Sequence, residues 1–293
     1  MWIKRVKNWA LACWIATFGL IMIGSFVRAS GSGMGCPDWP TCFGQWIPPT
    51  HISQLPPDYA TRYAHLGTIV FNPIHTWIEY VNRLAGVSVG LLAIGLAIVS
   101  TLARRHTSKW VMPFSWAIVG LIGYQGWVGA KVVSSVLAPY MISIHMVLAT
   151  WIVVMQGIVL GLTSPYLGGG ATSAYRLFSV AAIIQWGLGI RIRQGVDHGV
   201  AVQSLGDVLI FHIILGLLLS MAGYLWGKEM GNRPLKWALY AMLVAQLGSG
   251  GVFYWLGLTK WLQPIHLLGG IMSIGLIAYW AVITRTSGSQ TPA

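Results

Sequence analysis

Long uncharged apolar stretches, separated by short polar segments, dominate the chain. Residues 87–99 and 213–225, for example, contain no charged side chain. A helix that crosses a bilayer needs about 20 mostly apolar residues. Eight stretches of this kind predict an all-α integral membrane fold with eight transmembrane helices, placed near residues 9–30, 74–102, 110–132, 139–163, 177–194, 205–227, 235–255 and 262–284.

The composition excludes an ordinary water-soluble fold. Hydrophobic residues make up 56% of the 293 positions and charged residues only 8%, whereas soluble domains contain about 25% charged residues. The apolar stretches therefore need lipid around them.

The net charge of +12 would suggest nucleic acid as a partner of a soluble protein, but its distribution fits membrane topology instead. With eight spans and a cytoplasmic amino terminus, the basic residues concentrate on the inner side, as the positive-inside rule requires. The first apolar stretch lacks a convincing cleavage site, and no transit peptide precedes it. We therefore expect a multi-pass protein of a bacterial plasma membrane with both termini cytoplasmic, surrounded by lipid and without nucleic acid.

An internal repeat relates the two halves of the chain. Residues 82–86 match residues 212–216 in spacing, and residues 144–146 match residues 265–267. Because four spans separate the copies, both halves have the same orientation in the membrane, which makes a parallel repeat. The sequence predicts two four-helix bundles, 1–165 with the outer loop and 166–293. Residues 286–293 have the composition of a disordered tail.

Three of the eight histidines, His145, His212 and His266, lie in apolar spans, where an imidazole needs a partner or a metal. All three fall one to two turns below the outer end of an even-numbered span, and so at one depth. His212 and His266 occupy repeat-related positions, which favours a pair of axial ligands to one haem iron. A hydrogen-bonded core residue or a proton relay is the alternative for any single histidine.

The amino-terminal half differs at one position, because Asn82 faces His145. An amide is a poor iron ligand, so a haem bound here would be five-coordinate through His145, with an open face suited to oxygen activation. Glu79 lies one turn outward on the same face. A carboxylate within a span is a candidate functional residue, although a salt bridge with Arg83, its i+4 neighbour, is the alternative.

Cys36 and Cys42 lie in the outer loop, on the oxidising side of the membrane, and predict a disulfide that is either structural or redox-active. Arg28 and Arg191 end the first and fifth spans at the outer face. They are candidates to bind haem propionates, and interfacial snorkelling is the equally weighted alternative.

The segment from Gly24 to Cys42, with its Arg-x-x-Gly-Ser-Gly-x-x-Cys-Pro-x-Trp-Pro-x-Cys pattern, and the later stretch 78–83 resemble the haem A synthase family. The resemblance extends over nearly the whole chain through His145, His212 and His266. It implies an eight-helix oxidoreductase that converts the C8 methyl group of haem O into the formyl group of haem A for terminal oxidase assembly.

The resemblance also implies a division of roles. The second half would hold a permanent haem B on the iron ligands His212 and His266. The first half would bind the substrate haem through His145, with Asn82 in place of the first family histidine, and Glu79 would be the catalytic residue. Arg28 and Arg83 complete the expected substrate site.

The expected partners are haem O, a haem O synthase, an electron donor that the sequence does not identify, and a second copy of the chain. A non-catalytic membrane b-type cytochrome that only carries electrons is the main alternative function. A transporter is least favoured, because the spans lack paired broken helices at corresponding positions.

Overall fold

The computed structural model describes residues 1–67, 70–167, 171–231 and 233–284. Within these ranges all regular structure is helical. The α-helices are α1 (Trp2–Ala29), α2 (Tyr59–Arg62), α3 (Pro73–Leu102), α4 (Val111–Ser134), α5 (Pro139–Leu162), α6 (Ser173–Asp197), α7 (Asp207–Glu229), α8 (Pro234–Leu256) and α9 (Gln263–Thr284). Three short 3-10 turns complete the elements, at Ile52–Gln54, Ala64–Leu66 and Val202–Leu205. The expected tail, 286–293, lies outside the described residues.

Seven of these helices, α1, α3 to α5 and α7 to α9, are long and apolar enough to cross a membrane, which confirms a multi-pass membrane protein. The predicted fifth span corresponds to α6, which has 25 residues but does not belong to that apolar group. Charged residues explain the difference, since Arg176, Arg191, Arg193 and Asp197 all lie within this helix.

Proline and capping residues set the starts of several long helices. Pro73 is the first residue of α3, and the Asn72 side chain before it accepts hydrogen bonds from the backbone N–H groups of Ile74 and His75, at 2.9 and 3.2 Å. Pro139 and Pro234 begin α5 and α8 in the same way. Proline suits this position because its missing N–H would have no partner in the first turn.

Each long helix packs against its neighbours in sequence, and the contacts can be grouped into two sets, although the most extensive helix contact, α5/α9, runs between them. One set joins α1, α3, α4 and α5 through the pairs α1/α3, α3/α4, α4/α5 and α1/α5. The other joins α6, α7, α8 and α9 through the pairs α6/α7, α7/α8, α8/α9 and α6/α9. The sets meet mainly where α9 lies against α5 and α1.

Small residues allow α5 and α9 to approach closely. A Cβ atom added to Gly157 would lie 2.9 Å from the backbone oxygen of Gly275, and one added to Gly161 would lie 2.7 Å from Cβ of Val282. Membrane helices associate through such close van der Waals packing, since lipid provides no hydrophobic driving force between them.

The segment between α1 and α3, which we call the outer cap, is folded around a small core of its own. A disulfide joins Cys36 and Cys42, which pack with Phe43, Tyr63 and other buried apolar side chains. The Asp38 carboxylate accepts hydrogen bonds from the backbone N–H groups of Phe43 and Gly44, at 2.6 and 2.8 Å, and from the hydroxyl of Thr41. The predicted disulfide is therefore present.

Candidate functional site

A cavity of about 1670 Å³ lies among the long helices. Typical small-molecule pockets measure about 300–1,000 Å³, so this one has room for more than one ligand of that size. Its walls include Asn82 and His145 from the first helix set and His212 and His266 from the second. The residues that the sequence singled out at one depth thus line one continuous space.

His212 and His266 face each other within this cavity. Their ring centres are 6.2 Å apart and their planes are inclined by 49°. Two imidazoles that bind one metal ion from opposite sides, with metal–nitrogen bonds of about 2 Å, have ring centres roughly 6 Å apart. The observed spacing therefore fits an iron ion between the rings.

The hydrogen bonds of these rings differ between the two histidines. Nδ1 of His266 lies 2.9 Å from the hydroxyl oxygen of Ser249, an arrangement that fixes a metal-binding imidazole in one tautomer. Nε2 of His212 lies 3.2 Å from the amide nitrogen of Gln185, while its Nδ1 is buried and has no hydrogen-bond partner in the described part of the chain.

The imidazoles of His212 and His266 suit a metal whose equatorial ligands come from a bound macrocycle. Across the described ranges, no group of three or more His, Cys, Asp or Glu side chains could hold a metal ion. Two facing imidazoles do not complete the four-ligand site that zinc requires. They are sufficient for an iron porphyrin, which needs only axial ligands from the protein.

The corresponding place in the first helix set holds one imidazole and one amide. Oδ1 of Asn82 and Nδ1 of His145 are both buried and lack a hydrogen-bond partner among the described residues. Buried polar groups without partners cost free energy, so such groups on a cavity wall favour a bound ligand. The first set therefore offers one imidazole and one amide to the cavity, where the second set offers two imidazoles.

Glu79 joins the wall of the cavity to the outer cap. Its side chain is 4% exposed and forms a 2.5 Å salt bridge with Arg83, while the backbone N–H of Cys36 donates to its other oxygen at 2.8 Å. Arg83 also donates to the backbone oxygens of Asp38, Thr41 and Cys36, at 2.6, 2.9 and 3.1 Å. The ion pair considered as the alternative for Glu79 is thus present.

Three charged residues gather at the carboxyl-terminal ends of α1 and α6, and all three line the cavity. Asp197 forms ion pairs with Arg28 and, at 3.1 Å, with Arg193. Arg193 also donates to the side-chain oxygen of Gln263 at 2.7 Å. Two guanidinium groups surround one carboxylate, so the cluster keeps an excess positive charge that suits an anionic group.

The structure places the two predicted propionate ligands differently. Arg28 lines the cavity, whereas Arg191 is exposed. Arg193 lies on the cavity wall instead, and the sequence reading overlooked it. Its spacing of four residues from Asp197 was the available signal, because residues i and i+4 share one face of a helix.

Comparison with known proteins places this chain in a family. The model of the COX15-CtaA family, described as cytochrome oxidase assembly protein, matches residues 7–190. Curated relatives include a haem A synthase of Shewanella oneidensis, 29% identical over 138 residues that make up 45% of this chain and 38% of the relative.

Two further relatives carry the same name. The haem A synthase of Rhizorhabdus wittichii is 26% identical over 134 residues, which cover 42% of this chain and 38% of the relative. That of Sinorhizobium fredii is 26% identical over 313 aligned positions, covering 99% of this chain and 76% of the relative. The chain thus spans well under half the length of the first two relatives and three quarters of the third.

Proposed function

This chain belongs to the cytochrome oxidase assembly protein family, and on that premise we propose that it is a haem A synthase. It would oxidise the C8 methyl group of haem O to the formyl group of haem A for terminal oxidase assembly. The observation that carries the proposal is a complete imidazole pair and a single imidazole on the wall of one cavity.

We further propose that the two helix sets are two four-helix bundles, residues 1–165 and 166–293, related by a parallel repeat. The contacts within α1, α3, α4 and α5, and within α6 to α9, support this division, and the extensive contact of α9 with α5 and α1 joins the two bundles. The distribution of basic residues supports cytoplasmic termini in a bacterial plasma membrane.

In the second bundle, His212 and His266 would be the iron ligands of a permanent haem B. A bis-histidine haem supplies reversible one-electron transfer when it is bound. Ser249 would fix the tautomer of His266 through the 2.9 Å contact with Nδ1. Arg193, beside Asp197, would bind a propionate group of this haem, and Arg28, paired with the same carboxylate, would bind one of the substrate haem.

In the first bundle, His145 would bind the iron of the substrate haem, and Asn82 would leave the opposite face open. Converting a methyl group into a formyl group removes electrons and protons and adds an oxygen atom. Glu79 would accept a proton released there, because Arg83 and the backbone N–H of Cys36 hold its carboxylate on the cavity wall. Arg83 would act with it in the substrate site.

The test is product formation in cells that supply haem O. Purified protein, co-expressed with a haem O synthase, should yield haem A or a hydroxylated intermediate on extraction of its haems. A matched preparation that carries Glu79→Ala should contain haem B but little product. A wild-type preparation that is loaded with haem yet contains neither product would overturn the proposal.

A non-catalytic membrane b-type cytochrome is the second candidate, because both imidazoles of the facing pair, His212 and His266, belong to the second bundle. In that case the protein would pass electrons between partners, and Glu79→Ala would leave electron transfer unchanged. Reduction kinetics of the bound haem in wild-type and variant protein separate the two functions.

A further inference from the structure

Three glutamines on the cavity wall share one contact that the proposed function does not use. Each donates a hydrogen bond from its amide nitrogen to the backbone oxygen of a histidine on the following helix. The bonds run from Gln125 to His145 at 2.9 Å, from Gln185 to His212 at 3.0 Å and from Gln246 to His266 at 2.7 Å. An α-helical carbonyl already accepts a hydrogen bond within its own helix. Each glutamine amide therefore adds a second hydrogen bond, which links two helices at the level of the imidazole.

A glycine follows each glutamine four residues later. A Cβ atom added to Gly129, Gly189 or Gly250 would lie 3.3, 3.7 or 3.6 Å, respectively, from Cε1 of the histidine on the next helix. Residues i and i+4 share one face of a helix. Glutamine and glycine therefore form one strip, in which the amide holds the main chain of the histidine and the glycine leaves space for its ring.

The pair α1/α3 has the corresponding glycine, but the glutamine of the strip and the histidine that it contacts are both replaced. A Cβ atom added to Gly24 would lie 3.5 Å from Oδ1 of Asn82, so Gly24 corresponds to the three other glycines and Asn82 to the three histidines. Four residues before Gly24 stands Leu20, whose side chain cannot donate a hydrogen bond. The glutamine is thus missing in the one helix pair where the histidine is missing.

We propose that Gln125, Gln185 and Gln246 are positioning residues that set the height and orientation of the three imidazoles for iron ligation. By the same reasoning, the α1/α3 pair does not provide an axial ligand, because Leu20 stands in place of the glutamine and Asn82 in place of the histidine. This inference rests on the haem-binding part of the proposed function and is independent of whether haem O is oxidised.

The first test replaces the amide by an isosteric side chain without a donor in the full-length purified protein. Gln185→Met and Gln246→Met should each weaken retention of the low-spin haem by about 10–100-fold, the usual effect of losing a group that supports a metal ligand. They should also shift the electron paramagnetic resonance g values of the haem that remains. Gln246→Glu should restore the spectrum, because a protonated carboxyl group can donate to the same carbonyl.

Gln156 offers a matched control. It is fully buried, and its amide nitrogen lies 2.9 Å from the hydroxyl oxygen of Thr17 and 3.2 Å from Sγ of Cys13, with no histidine among these contacts. Gln156→Met should lower thermal stability while leaving the haem spectrum unchanged. If Gln156→Met changes the spectrum as much as Gln185→Met does, the glutamines act only as packing between helices and the proposal is overturned.

The second test restores the missing strip. Leu20→Gln combined with Asn82→His should add a second low-spin haem signal with one uniform set of g values, whereas Asn82→His alone should give a weaker, heterogeneous signal. Equal signals from the single and double variants would overturn the role of the glutamine. Wild-type protein without any low-spin haem would overturn the proposed haem site together with this inference, whereas a bis-histidine haem without haem A product would overturn only the oxidation of haem O.

Discussion

Arg28, near the carboxyl-terminal end of α1, forms an ion pair with Asp197, the last residue of α6. The two residues are 169 positions apart in the chain and belong to different helix sets. Arg193 approaches the same carboxylate from its own helix, so the negative charge of Asp197 is shared between two guanidinium groups. An anionic group of a bound haem would find excess positive charge here without displacing the ion pair completely.

Replacing Arg28 should therefore affect both binding and stability. Arg28→Gln is expected to weaken binding of the substrate haem and to lower the melting temperature, since a hydrogen bond to a charged group contributes about 1.5–3 kcal/mol. Asp197→Asn should lower the melting temperature but retain the haem, because it removes negative charge from the same cluster. Haem content and thermal unfolding measure the two effects. Arg191→Gln is the control, and an equal loss of haem in that variant would contradict the role of Arg28.

Glu79→Gln separates chemistry from the anchoring of the outer cap. A glutamine side chain can still accept the hydrogen bond from the backbone N–H of Cys36, so the cap should keep its place. Turnover of haem O should fall by about 10²–10⁴-fold, the usual contribution of a residue that transfers a proton. Haem extraction measures the product, and the optical spectrum of the haem proposed between His212 and His266 serves as the control. Normal haem A yield from Glu79→Gln would show that the carboxylate is only an anchor.

The histidines should differ in their spectroscopic roles. His212→Ala and His266→Ala are each expected to abolish the low-spin haem signal, because an iron with one remaining imidazole becomes five-coordinate and high-spin. His145→Ala should keep that signal and lose the substrate haem. Absorption and electron paramagnetic resonance spectra of the purified variants test this. A low-spin signal that survives in both His212→Ala and His266→Ala would eliminate this ligand pair.

The disulfide should be mainly structural, because Cys36 and Cys42 are both fully buried. The two half-cystines are six positions apart in the sequence, and closing a loop of this length is expected to stabilise the cap by about 2 kcal/mol. The Cys36→Ala/Cys42→Ala double variant should unfold at a lower temperature yet still bind haem. Mild reductant should leave wild-type turnover unchanged, and a turnover that depends on reductant would point instead to a redox role.

The glycines between α5 and α9 give a prediction about assembly of the two helix sets. Gly157→Ala is expected to destabilise the protein by about 1–3 kcal/mol, because the new Cβ would meet the backbone oxygen of Gly275, which cannot move aside. Gly120→Ala is the control, since a Cβ there has no atom within 4 Å and alanine favours helix formation. Thermal unfolding in detergent compares the two. A Gly157→Ala variant as stable as the control would show that the helices can separate slightly without penalty.

Local signals in the sequence account for much of the fold and part of the site. Length and apolarity predict the spans, and the rarity of imidazoles within such spans singles out His145, His212 and His266. The sequence alone does not decide which arginine of the fifth span meets the cavity, because α6 carries both Arg191 and Arg193, two residues apart. Such residues point about 200° apart around a helix, so only the rotation of α6 in the packed protein decides which arginine meets the cavity.

Contacts between segments that are distant in the chain could not be predicted from the sequence. The i+4 spacing predicted that Glu79 and Arg83 can pair, but it did not predict the backbone N–H of Cys36 on the same carboxylate or the three cap carbonyls on Arg83. Those contacts depend on the folded path of the outer cap. The ties from Gln185 and Gln246 were overlooked for a related reason, because a glutamine in a helix shows its partner only when the neighbouring helix is in place.

The disulfide of the outer cap also provides a way to measure membrane insertion of the chain. Thiols in the bacterial cytoplasm stay reduced, whereas the opposite side of the membrane is oxidising. With both termini cytoplasmic in a bacterial plasma membrane, as we propose, only chains that have translocated the segment between α1 and α3 would join Cys36 to Cys42, and the burial of both sulfurs would then protect the bond during purification. The fraction of chains whose two thiols resist alkylation therefore measures how many were inserted in the correct orientation, before any haem is bound.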